Sequence, residues 1–295
     1  MPMPSTCPVT VVFPCYNAAD TVAMAIKSAA FQTLPPAEIL IFDDGSSDHS
    51  PLVIQSTIAA IEGRSPSRIR YFASAENKGV YTIRNRALDE ASQTLIAFLD
   101  ADDYWHPQKL EIQHRFFEED PALALVCHRV VHREGSPRTL PFFAHNFVPV
   151  SDVLKHRTVL LRNIMVTISV MIRKPENGLR FDESKRRGSD MLFWLEIVLG
   201  GGKAVMIEEN MSFTQKPLCG AGGLSGNIWK AEMAQQHNLY MLWQRGYIGL
   251  PTCLFLRGFS LLKMVRRYGL REWRNYQPST GMVPAFRRER LSAAQ

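Results

Sequence analysis

Strand-like apolar runs alternate with helix-compatible segments over the first hundred residues. The runs recur at intervals of roughly thirty residues, as in βαβ units, and begin near Val9, Glu38, Ile69 and Leu95. The segments between them that are compatible with helices are 18–31, 50–62 and 80–91. This alternation predicts an α/β fold with a Rossmann-like, mostly parallel sheet, right-handed connections and helices on both faces.

The chain changes character after Trp105. The pattern there predicts a polar helix over 109–119, strands over 122–131 and 164–172, and a helix over 190–197 that ends at three glycines, 200–202. Residues 135–150 are rich in Pro, Phe and His, which predicts a surface loop near an acceptor. The second half therefore reads as a smaller α/β layer added to the first.

The C-terminal region combines a glycine-rich segment with two helices. Gly220, Gly222 and Gly223 lie in a segment that we interpret as a lid over a bound ligand, with a linker to the tail as the alternative. A helix is predicted over 229–245, and a basic amphipathic helix follows Pro251. Its apolar face comprises Leu254, Phe255, Phe259, Leu261, Leu262 and Val265, and its basic series comprises Lys263, Arg267, Arg271 and Arg274. This helix either docks on the protein's own core or lies on an anionic membrane, and we favour the membrane.

Composition and charge narrow the function classes. The net charge is +6, but nine Lys/Arg and two Glu lie from Arg257 onward, so the remainder carries about −1. A basic face for nucleic acid is therefore not expected. Five scattered cysteines without CxxC spacing indicate reduced thiols in the cytoplasm and no structural zinc. We expect neither a secretory signal nor a transmembrane helix, since the apolar run 246–256 is too short to span a bilayer.

Three carboxylates follow directly after the apolar run 95–99. Asp100, Asp102 and Asp103 are hard oxygen ligands at the end of a predicted buried strand. Such ligands suit Mg²⁺ or Mn²⁺, and these ions usually complete their coordination with water and substrate phosphate oxygens. The cluster thus indicates a nucleotide diphosphate. The alternative is that the acidic residues only end the strand and cap the next helix.

Polar residues also end the first two predicted strands. Pro14, Tyr16 and Asn17 follow the first strand, and Asp43 and Asp44 follow the second. Carboxyl ends of parallel strands line one crevice, so these residues and the aspartates are predicted to meet. Either Asp could accept a hydrogen bond from a uracil imide while Tyr16 and Pro14 form an apolar wall. The alternative is a simple turn and helix cap.

Two standard nucleotide motifs are absent from the sequence. The first strand is not followed by GxGxxG, and no GxxxxGK[ST] occurs, which argues against NAD, FAD and a Walker-type ATP site. Asn77 and Gly79 instead precede the third predicted helix, and Arg84 lies one to two turns inside it. A helix N-terminus with an Arg suits a diphosphate. Alternatively, Arg84 pairs with a surface carboxylate.

Four segments together resemble the successive motifs of family 2 glycosyltransferases. They are Val-Val-Phe-Pro-Cys-Tyr-Asn at 11–17, Phe-Asp-Asp-Gly-Ser-Ser-Asp at 42–48, Glu-Asn-Lys-Gly at 76–79 with Arg84-Asn85, and Phe-Leu-Asp-Ala-Asp-Asp at 98–103. The resemblance implies a GT-A fold and an inverting, metal-dependent transferase that uses a nucleotide sugar. It implies that Asp44 reads the base, that Asp100 and Ala101 lie near the ribose, and that Asp102 binds the metal.

Asp190 is the candidate general base. Inverting transfer needs a carboxylate that removes the proton of the acceptor hydroxyl during its attack on the anomeric carbon. The alternative is that Asp190 only caps the helix that follows it. The segment resembles the family pattern, in which Glu-Asp is followed by an apolar helix that contains a Trp, and Asp190 and Trp194 match that pattern. The usual Glu is replaced by Ser189, and the segment 213–217, where such proteins often have a His that helps to bind the metal, contains none.

These observations lead to one functional prediction with two rivals. We expect an inverting glycosyltransferase that moves a sugar from a UDP-linked donor to a hydroxyl of a glycan or lipid-linked acceptor in polysaccharide synthesis, with Mn²⁺ or Mg²⁺. The predicted units are a GT-A domain over 1–215, divided into a nucleotide-sugar half 1–105 and an acceptor half 106–215, and a lid with helical tail over 216–295. The rivals are a sugar nucleotidyltransferase and an inactive nucleotide- or glycan-binding scaffold.

Overall fold

The fold is built on a single mixed sheet. The computed structural model describes residues 5–133, 143, 149–162, 164–215 and 228–276. Within these residues the sheet has nine strands: β1 (Cys7–Cys15), β2 (Pro36–Asp43), β3 (Arg68–Ala73), β4 (Leu95–Phe98), β5 (Asp103–Trp105), β6 (Leu123–His132), β7 (Ser151–Val153), β8 (Met171–Arg173) and β9 (Lys203–Thr214).

Eight helices connect and cover these strands in the described part of the chain. They are α1 (Val22–Ala30), α2 (Ser50–Ile61), α3 (Val80–Glu90), α4 (Lys109–Glu119), α5 (His156–Leu161), α6 (Ser189–Leu199), α7 (Ile228–Gln244) and α8 (Leu250–Tyr276). The predicted strand and helix order of the first hundred residues is confirmed. Side chains of α8 are described only as far as Gly269, so those of Arg271 and Arg274 lie outside the described residues.

The strand order puts the ends of the first strands at one edge. It runs β3-β2-β1-β4-β8-β6-β9-β5, with β7 paired to β9. Strands β1 to β4 are mutually parallel where they pair, whereas β8 is antiparallel to both of its neighbours. Cys15 lies opposite Asp43, and Val12 lies opposite Phe98. The residues that follow β1, β2 and β4 therefore leave the sheet side by side.

The predicted strand over 164–172 is largely wrong. Only Met171–Arg173 forms a strand, and Thr167–Ser169 forms a 3-10 turn. The carbonyl of Ile168 accepts hydrogen bonds from Trp105 Nε1 at 3.0 Å and from Ser212 Oγ at 2.8 Å. Buried side chains thus take the place of a partner strand, because the backbone polar groups of this apolar run still need hydrogen bonds.

Both faces of the sheet are buried, which explains the nearly continuous apolar runs of β1, β2 and β4. In β1, Val12 faces one core layer while Val11 and Phe13 face the other. The first layer is rich in aromatic rings: Trp194 packs edge to face against Phe98 at 5.1 Å and against Phe181 at 5.6 Å. These contacts fix α6 and the segment before it against the carboxyl end of β4.

The helices α7 and α8 pack on this same aromatic layer. Leu239, Leu242, Ile248, Cys253 and Leu256 are all buried in it. The opposite face of α8 is the one that the sequence pattern marked as apolar, and it stays exposed: Leu254 58%, Phe255 65%, Phe259 37%, Leu261 42%, Leu262 70% and Val265 63%. Docking on the core and an uncovered apolar face thus coexist, because they use different sides of the helix.

No described helix combines the length and the apolar character that a bilayer span requires. The described cysteines Cys7, Cys15, Cys127 and Cys253 are free thiols.

The packing of α7 is tested by replacing Leu239, which is 1% exposed, with Ala. We expect Leu239→Ala to lower the free energy of unfolding by about 2–5 kcal/mol, because removing buried methyl groups leaves a cavity. The matched control is Met233→Ala on the same helix, where the side chain is 52% exposed and the expected change is within about 0.5 kcal/mol. Equal urea midpoints for the two variants would contradict a shared core.

Candidate functional site

The loops after β1 and β2 are joined by reciprocal hydrogen bonds. The Asn17 amide N–H donates to Ser46 Oγ at 2.9 Å, and the Ser47 amide N–H donates to Asn17 Oδ1 at 2.8 Å. Asn17 has φ +47°, a left-handed conformation that Asn tolerates better than most residues. Pro14 is buried, and the Tyr16 side chain is exposed at this edge. The structure thus brings together the first two predicted strand-end motifs.

Asp43 is buried and closes the turn that follows β2. Its Oδ1 accepts the Ser46 amide N–H at 3.0 Å, and its Oδ2 accepts the Tyr71 hydroxyl at 3.2 Å. Burial raises the pKa of Tyr71 to about 12, and the Asp43 carboxylate contributes to this shift. The Tyr71 phenol therefore stays protonated at neutral pH and can donate to Asp43.

Asp44 links the same turn to the start of α3. Its two carboxylate oxygens accept the amide N–H groups of Lys78 and Gly79, each at 2.8 Å. The turn role that the sequence allowed is therefore observed for both aspartates, whereas no side chain caps α2 or α3. Each carboxylate oxygen still has a second lone-pair direction, so these bonds do not prevent Asp44 from accepting one from a ligand. Gly79, with φ +92°, is the N-cap of α3, and Asn77 is exposed beside it.

Arg84 forms an ion pair with the acidic loop after β4. Its Nη2 lies 2.7 Å from Asp100 Oδ1, and the Arg84 side chain is only 4% exposed. The guanidinium also lies near the rings of Tyr81 and Phe181, at 5.8 and 5.9 Å from their centroids. The partner is therefore a carboxylate of the predicted site, not an unrelated surface residue. The buried Nε has no hydrogen-bond partner among the described residues.

The three aspartates of the acidic loop have different surroundings. Asp100 pairs with Arg84, Asp103 begins β5 and is buried, and Asp102 lies between them, partly exposed. Loss of solvation raises the pKa of Asp100, Arg84 opposes this, and the charge of Asp102 raises it further. The Thr21 hydroxyl donates to the Ala101 carbonyl at 2.8 Å, which ties this loop to the start of α1.

The acidic loop fits a divalent ion that is shared with a ligand. The described residues contain no group of three or more His, Cys, Asp or Glu that would enclose a metal. Mg²⁺ and similar ions, however, often use one or two carboxylates and take their remaining ligands from phosphates and water. Asp102, which is partly exposed in this loop, provides one such carboxylate.

Asp190 lies in the first turn of α6 and is held by two hydroxyl groups. Thr167 Oγ1 donates to Asp190 Oδ2 at 2.7 Å, and the Tyr81 hydroxyl donates to Oδ1 at 3.4 Å. The N-cap of α6 is Gly188, and no side chain caps the helix, so the capping alternative for Asp190 is not observed. Burial and the Asp190 charge raise the pKa of Tyr81, which keeps its phenol protonated.

Tyr81 and Arg84 connect Asp190 to the acidic loop. Both lie on α3, three residues apart and thus on one face of that helix. The pKa of Asp100 is raised in part by the charge of Asp190, and Arg84 is electrostatically coupled to both carboxylates. The structure therefore brings Asp190, Arg84, Asp100 and the strand-end loops to one edge of the sheet.

Ser189, which replaces the Glu of the family pattern, has a structural role. Its side chain is fully buried, and its Oγ accepts the Asp182 amide N–H at 2.5 Å. The same segment is held to α3 by Asn85, which donates to the Phe181 carbonyl at 2.9 Å and accepts the Phe181 amide N–H at 2.8 Å. The substitution thus fits a closely packed connection and leaves Asp190 in place.

Tyr81 and Thr167 are site residues that sequence reasoning missed. The spacing of Tyr81 and Arg84 on one helix face was a usable signal for Tyr81. Thr167 gave no signal, because its segment was predicted as a strand and its turn is fixed by distant side chains. The predicted lid glycines Gly220, Gly222 and Gly223 lie outside the described residues, as does most of the predicted loop 135–150.

Comparison with known proteins gives a family match. The sequence model described as "Glycosyl transferase family 2" matches residues 10–172. TuaG of Bacillus subtilis, a putative teichuronic acid biosynthesis glycosyltransferase, is 29% identical over 224 residues, which cover 76% of this chain and 83% of TuaG. WfgD of Escherichia coli, a UDP-Glc:alpha-D-GlcNAc-diphosphoundecaprenol beta-1,3-glucosyltransferase, is 39% identical over 105 residues, 36% of this chain and 39% of WfgD.

Several relatives are much longer than the part that this chain matches. The chain spans 30% of an uncharacterised glycosyltransferase of Rickettsia felis and 30% of another from Rickettsia conorii. The whole-protein properties of such relatives therefore do not transfer directly to this chain.

Solved structures share the fold. Staphylococcus aureus TarS 1–349 in complex with UDP-GlcNAc superposes with a TM-score of 0.65 at 16% identity, covering 86% of this chain and 71% of that one. The mannosyltransferase PcManGT of Pyrobaculum calidifontis, in complex with GDP-Man and Mn²⁺, superposes with a TM-score of 0.55 at 17% identity, covering 90% and 82%.

The contact between the β2 turn and the segment before α3 is tested at Gly45. A Cβ at this position, where φ is +74°, would lie 2.8 Å from the Glu76 carbonyl carbon. Gly63 has a similar φ of +70° but nothing within 4 Å, so Gly63→Ala is the matched control. Both variants carry the left-handed backbone cost of about 1–2 kcal/mol, and Gly45→Ala carries the clash in addition. Equal losses in chemical denaturation would contradict this close approach.

Proposed function

Since the chain belongs to glycosyl transferase family 2, we propose that it transfers a sugar, with inversion, from a nucleotide-sugar donor to a hydroxyl of a glycan or lipid-linked acceptor. The chain is a glycosyltransferase, and its relatives include proteins named for polysaccharide synthesis. The observation that carries the proposal is the Asp190 carboxylate, held by Thr167 beside the Arg84–Asp100 pair. Family membership favours glycosyl transfer over the nucleotidyltransferase rival.

The donor nucleotide is proposed to lie over the loops after β1 and β2. The exposed Tyr16 ring offers an apolar surface for the base, with Pro14 buried two residues before it, and Asp44 has lone pairs for a base N–H. Asn17 and Asp43 shape this surface through their hydrogen bonds. TarS, which has the same fold, was crystallised with UDP and with UDP-GlcNAc, which supports a UDP-linked donor here.

The diphosphate is proposed to lie between the N-terminus of α3 and the acidic loop. The residues that would contact it are Asn77, Gly79 and Arg84, with Asp100 and Ala101 beside the ribose. A helix N-terminus and a guanidinium both favour anionic groups. Asp102 would hold Mn²⁺ or Mg²⁺. Such an ion, when bound, would offset the negative charge on the departing diphosphate. The Mn²⁺ complex of PcManGT supports this assignment.

Asp190 is proposed to act as the general base. Its carboxylate would accept the proton of the acceptor hydroxyl while that oxygen bonds to the anomeric carbon and the bond to the diphosphate breaks on the opposite face. Thr167 and Tyr81 each donate to this carboxylate and so fix its orientation. In this proposal residues 1–105 would bind the donor and residues 106–215 would form the acceptor side, with the helices α7 and α8 after them.

The acceptor and the cellular location are proposed from the C-terminal helix and one relative. WfgD is named for an acceptor sugar on diphosphoundecaprenol, a membrane lipid. In this chain, α8 exposes an apolar face, and from Leu250 to Gly269 its charged residues are all basic: Arg257, Lys263, Arg266 and Arg267. Charge complementarity favours an anionic bilayer surface over a second copy of the same basic helix. We therefore place the protein on the cytoplasmic face of the membrane.

Glycosyl transfer is tested by UDP release from UDP-glucose and UDP-GlcNAc in the presence of Mn²⁺. We expect activity that is lost in excess EDTA and in Asp102→Ala. We expect Asp190→Asn to lower the rate by about 10²-fold or more, because it removes proton transfer. The matched control is Asp89→Asn on α3, an exposed carboxylate that pairs with Arg180. Full activity of Asp190→Asn, or full wild-type activity in EDTA, would refute the mechanism, and no turnover of either donor would refute the donor class.

Membrane binding is tested by sedimentation with phosphatidylcholine vesicles with and without phosphatidylglycerol. We expect binding to the anionic vesicles only, and we expect salt to weaken it. The double variant Phe255→Ser/Leu262→Ser should bind at least about tenfold more weakly, because it removes apolar area that the bilayer would bury. Leu52→Ser on α2, at an equally exposed leucine (65%), is the control. Unchanged vesicle binding by the double variant would contradict the assigned face. If light scattering showed that the wild-type protein forms a concentration-dependent dimer and that the double variant does not, a second copy of the chain would replace the membrane as the assigned partner.

A further inference from the structure

A buried asparagine on α7 contacts the segment that leads into Asp190. The Asn238 side chain is 1% exposed, and burying an amide is costly unless its polar atoms are hydrogen-bonded. Its Nδ2 donates to the Gly188 carbonyl at 2.8 Å, and its Oδ1 accepts from Lys185 Nζ at 2.6 Å. A carbonyl can only accept and an ammonium can only donate, so the orientation of the amide is determined by its partners.

The carbonyl that Asn238 binds belongs to the N-cap of α6. The Gly188 carbonyl also accepts the Leu192 amide N–H at 3.2 Å, which is the first hydrogen bond of that helix. Gly188 has φ +73°, and a Cβ there would lie 3.3 Å from Asn238 Nδ2 and 3.4 Å from the Ala234 Cβ. Asp190 follows two residues later, so the path of its backbone depends on where α7 holds Gly188.

On its other side, α7 is held by hydrogen bonds to α8. Ser260 Oγ donates to Glu232 Oε2 at 3.0 Å. Gln236 Nε2 donates to the Arg257 carbonyl at 3.0 Å, while Arg257 Nε donates to Gln236 Oε1 at 2.9 Å. Four apolar residues, Leu239, Leu242, Cys253 and Leu256, add packing to the core. Several hydrogen bonds and apolar contacts thus hold α7 against α8, independently of the contact between Asn238 and Gly188.

We propose that Asn238 is a positioning residue for Asp190, acting through the Gly188 carbonyl. Thr167 and Tyr81 fix the carboxylate itself, and Asn238 fixes the start of the helix that carries it. In this arrangement α7 contributes to positioning the base through Asn238, while α8 makes the proposed contact with the membrane. This inference rests on the proposed role of Asp190 as the base.

The test compares Asn238→Leu, which is close in volume and cannot hydrogen-bond, with Gln236→Leu on the same helix. Gln236 is also buried and hydrogen-bonded, but it contacts α8 instead of the base segment. For UDP release in the presence of Mn²⁺, we expect Asn238→Leu to lower kcat by about 10- to 100-fold with the donor KM within twofold, since misplacement of a catalytic group impairs chemistry more than binding. Gln236→Leu should keep kcat within about twofold.

A second variant identifies the bond that matters. Asn238→Asp keeps an acceptor for Lys185 and loses the donor to Gly188, so we expect it to be as slow as Asn238→Leu. Wild-type kcat in Asn238→Asp, or equal losses in Asn238→Leu and Gln236→Leu, would overturn the assigned role.

Hydrogen exchange separates this inference from the proposed function. Asn238→Leu should accelerate exchange of the amides of residues 189–192, and Gln236→Leu should not. Unchanged exchange there overturns the positioning role whatever the activity. Absence of donor turnover in the wild-type protein instead refutes the proposed function and leaves the exchange result interpretable.

Discussion

The candidate site depends on the requirement that every buried or half-buried carboxylate be hydrogen-bonded or paired. Asp43 and Asp44 accept hydrogen bonds from a phenol and from backbone N–H groups, Asp100 pairs with Arg84, and Asp190 is held by Thr167 and Tyr81. An unpaired carboxylate in these positions would be too costly to keep charged. The partners come from β3, from α3 and the residues just before it, and from the turn at Thr167, so satisfying the carboxylates also assembles the site.

The helix α3 is the element that joins the two halves of the site. Its N-terminal backbone is held by Asp44, its Arg84 reaches the acidic loop, and its Tyr81 reaches Asp190. Asn85 on the same helix holds the backbone of Phe181. A donor and an acceptor hydroxyl that both bind beside the N-terminal half of α3 would therefore be aligned by one rigid helix, which is the geometric requirement for direct displacement.

The C-terminal helices connect this site to a surface outside the catalytic core. α8 uses one face to pack on α7 and the core and leaves the other face apolar and uncovered. α7 in turn contacts the base segment through Asn238. The proposed membrane contact and the proposed positioning of Asp190 would thus involve the same pair of helices. The polar buried residues of this pair, Glu232, Gln236, Asn238 and Ser260, specify one packing arrangement between α7, α8 and α6.

The sequence by itself determined the order of the elements in the first hundred residues and the meeting of three strand-end motifs at one edge. These follow from apolar periodicity and from the direction of parallel strands, which are local properties. It also identified the apolar face of α8, since 3.6-residue periodicity is visible in any amphipathic helix. The sequence could not decide whether Asp44 and Arg84 bind a ligand or only hold the fold together, because hydrogen-bond partners that are distant in sequence leave no periodic signal.

Only the tertiary structure decided what the apolar run 164–172 becomes, which side of α8 meets the core, and what holds Asp190. The run forms a 3-10 turn because side chains from β5 and β9 both donate hydrogen bonds to the Ile168 carbonyl. α8 docks through Cys253, Leu256, Ser260 and Met264 because α7 provides matching buried groups. Thr167 and Tyr81 donate to the candidate base and Asn238 donates to the N-cap of its helix, each from a separate element. Contacts of this kind depend on the folded arrangement of all these elements, and no segment of the chain encodes them alone.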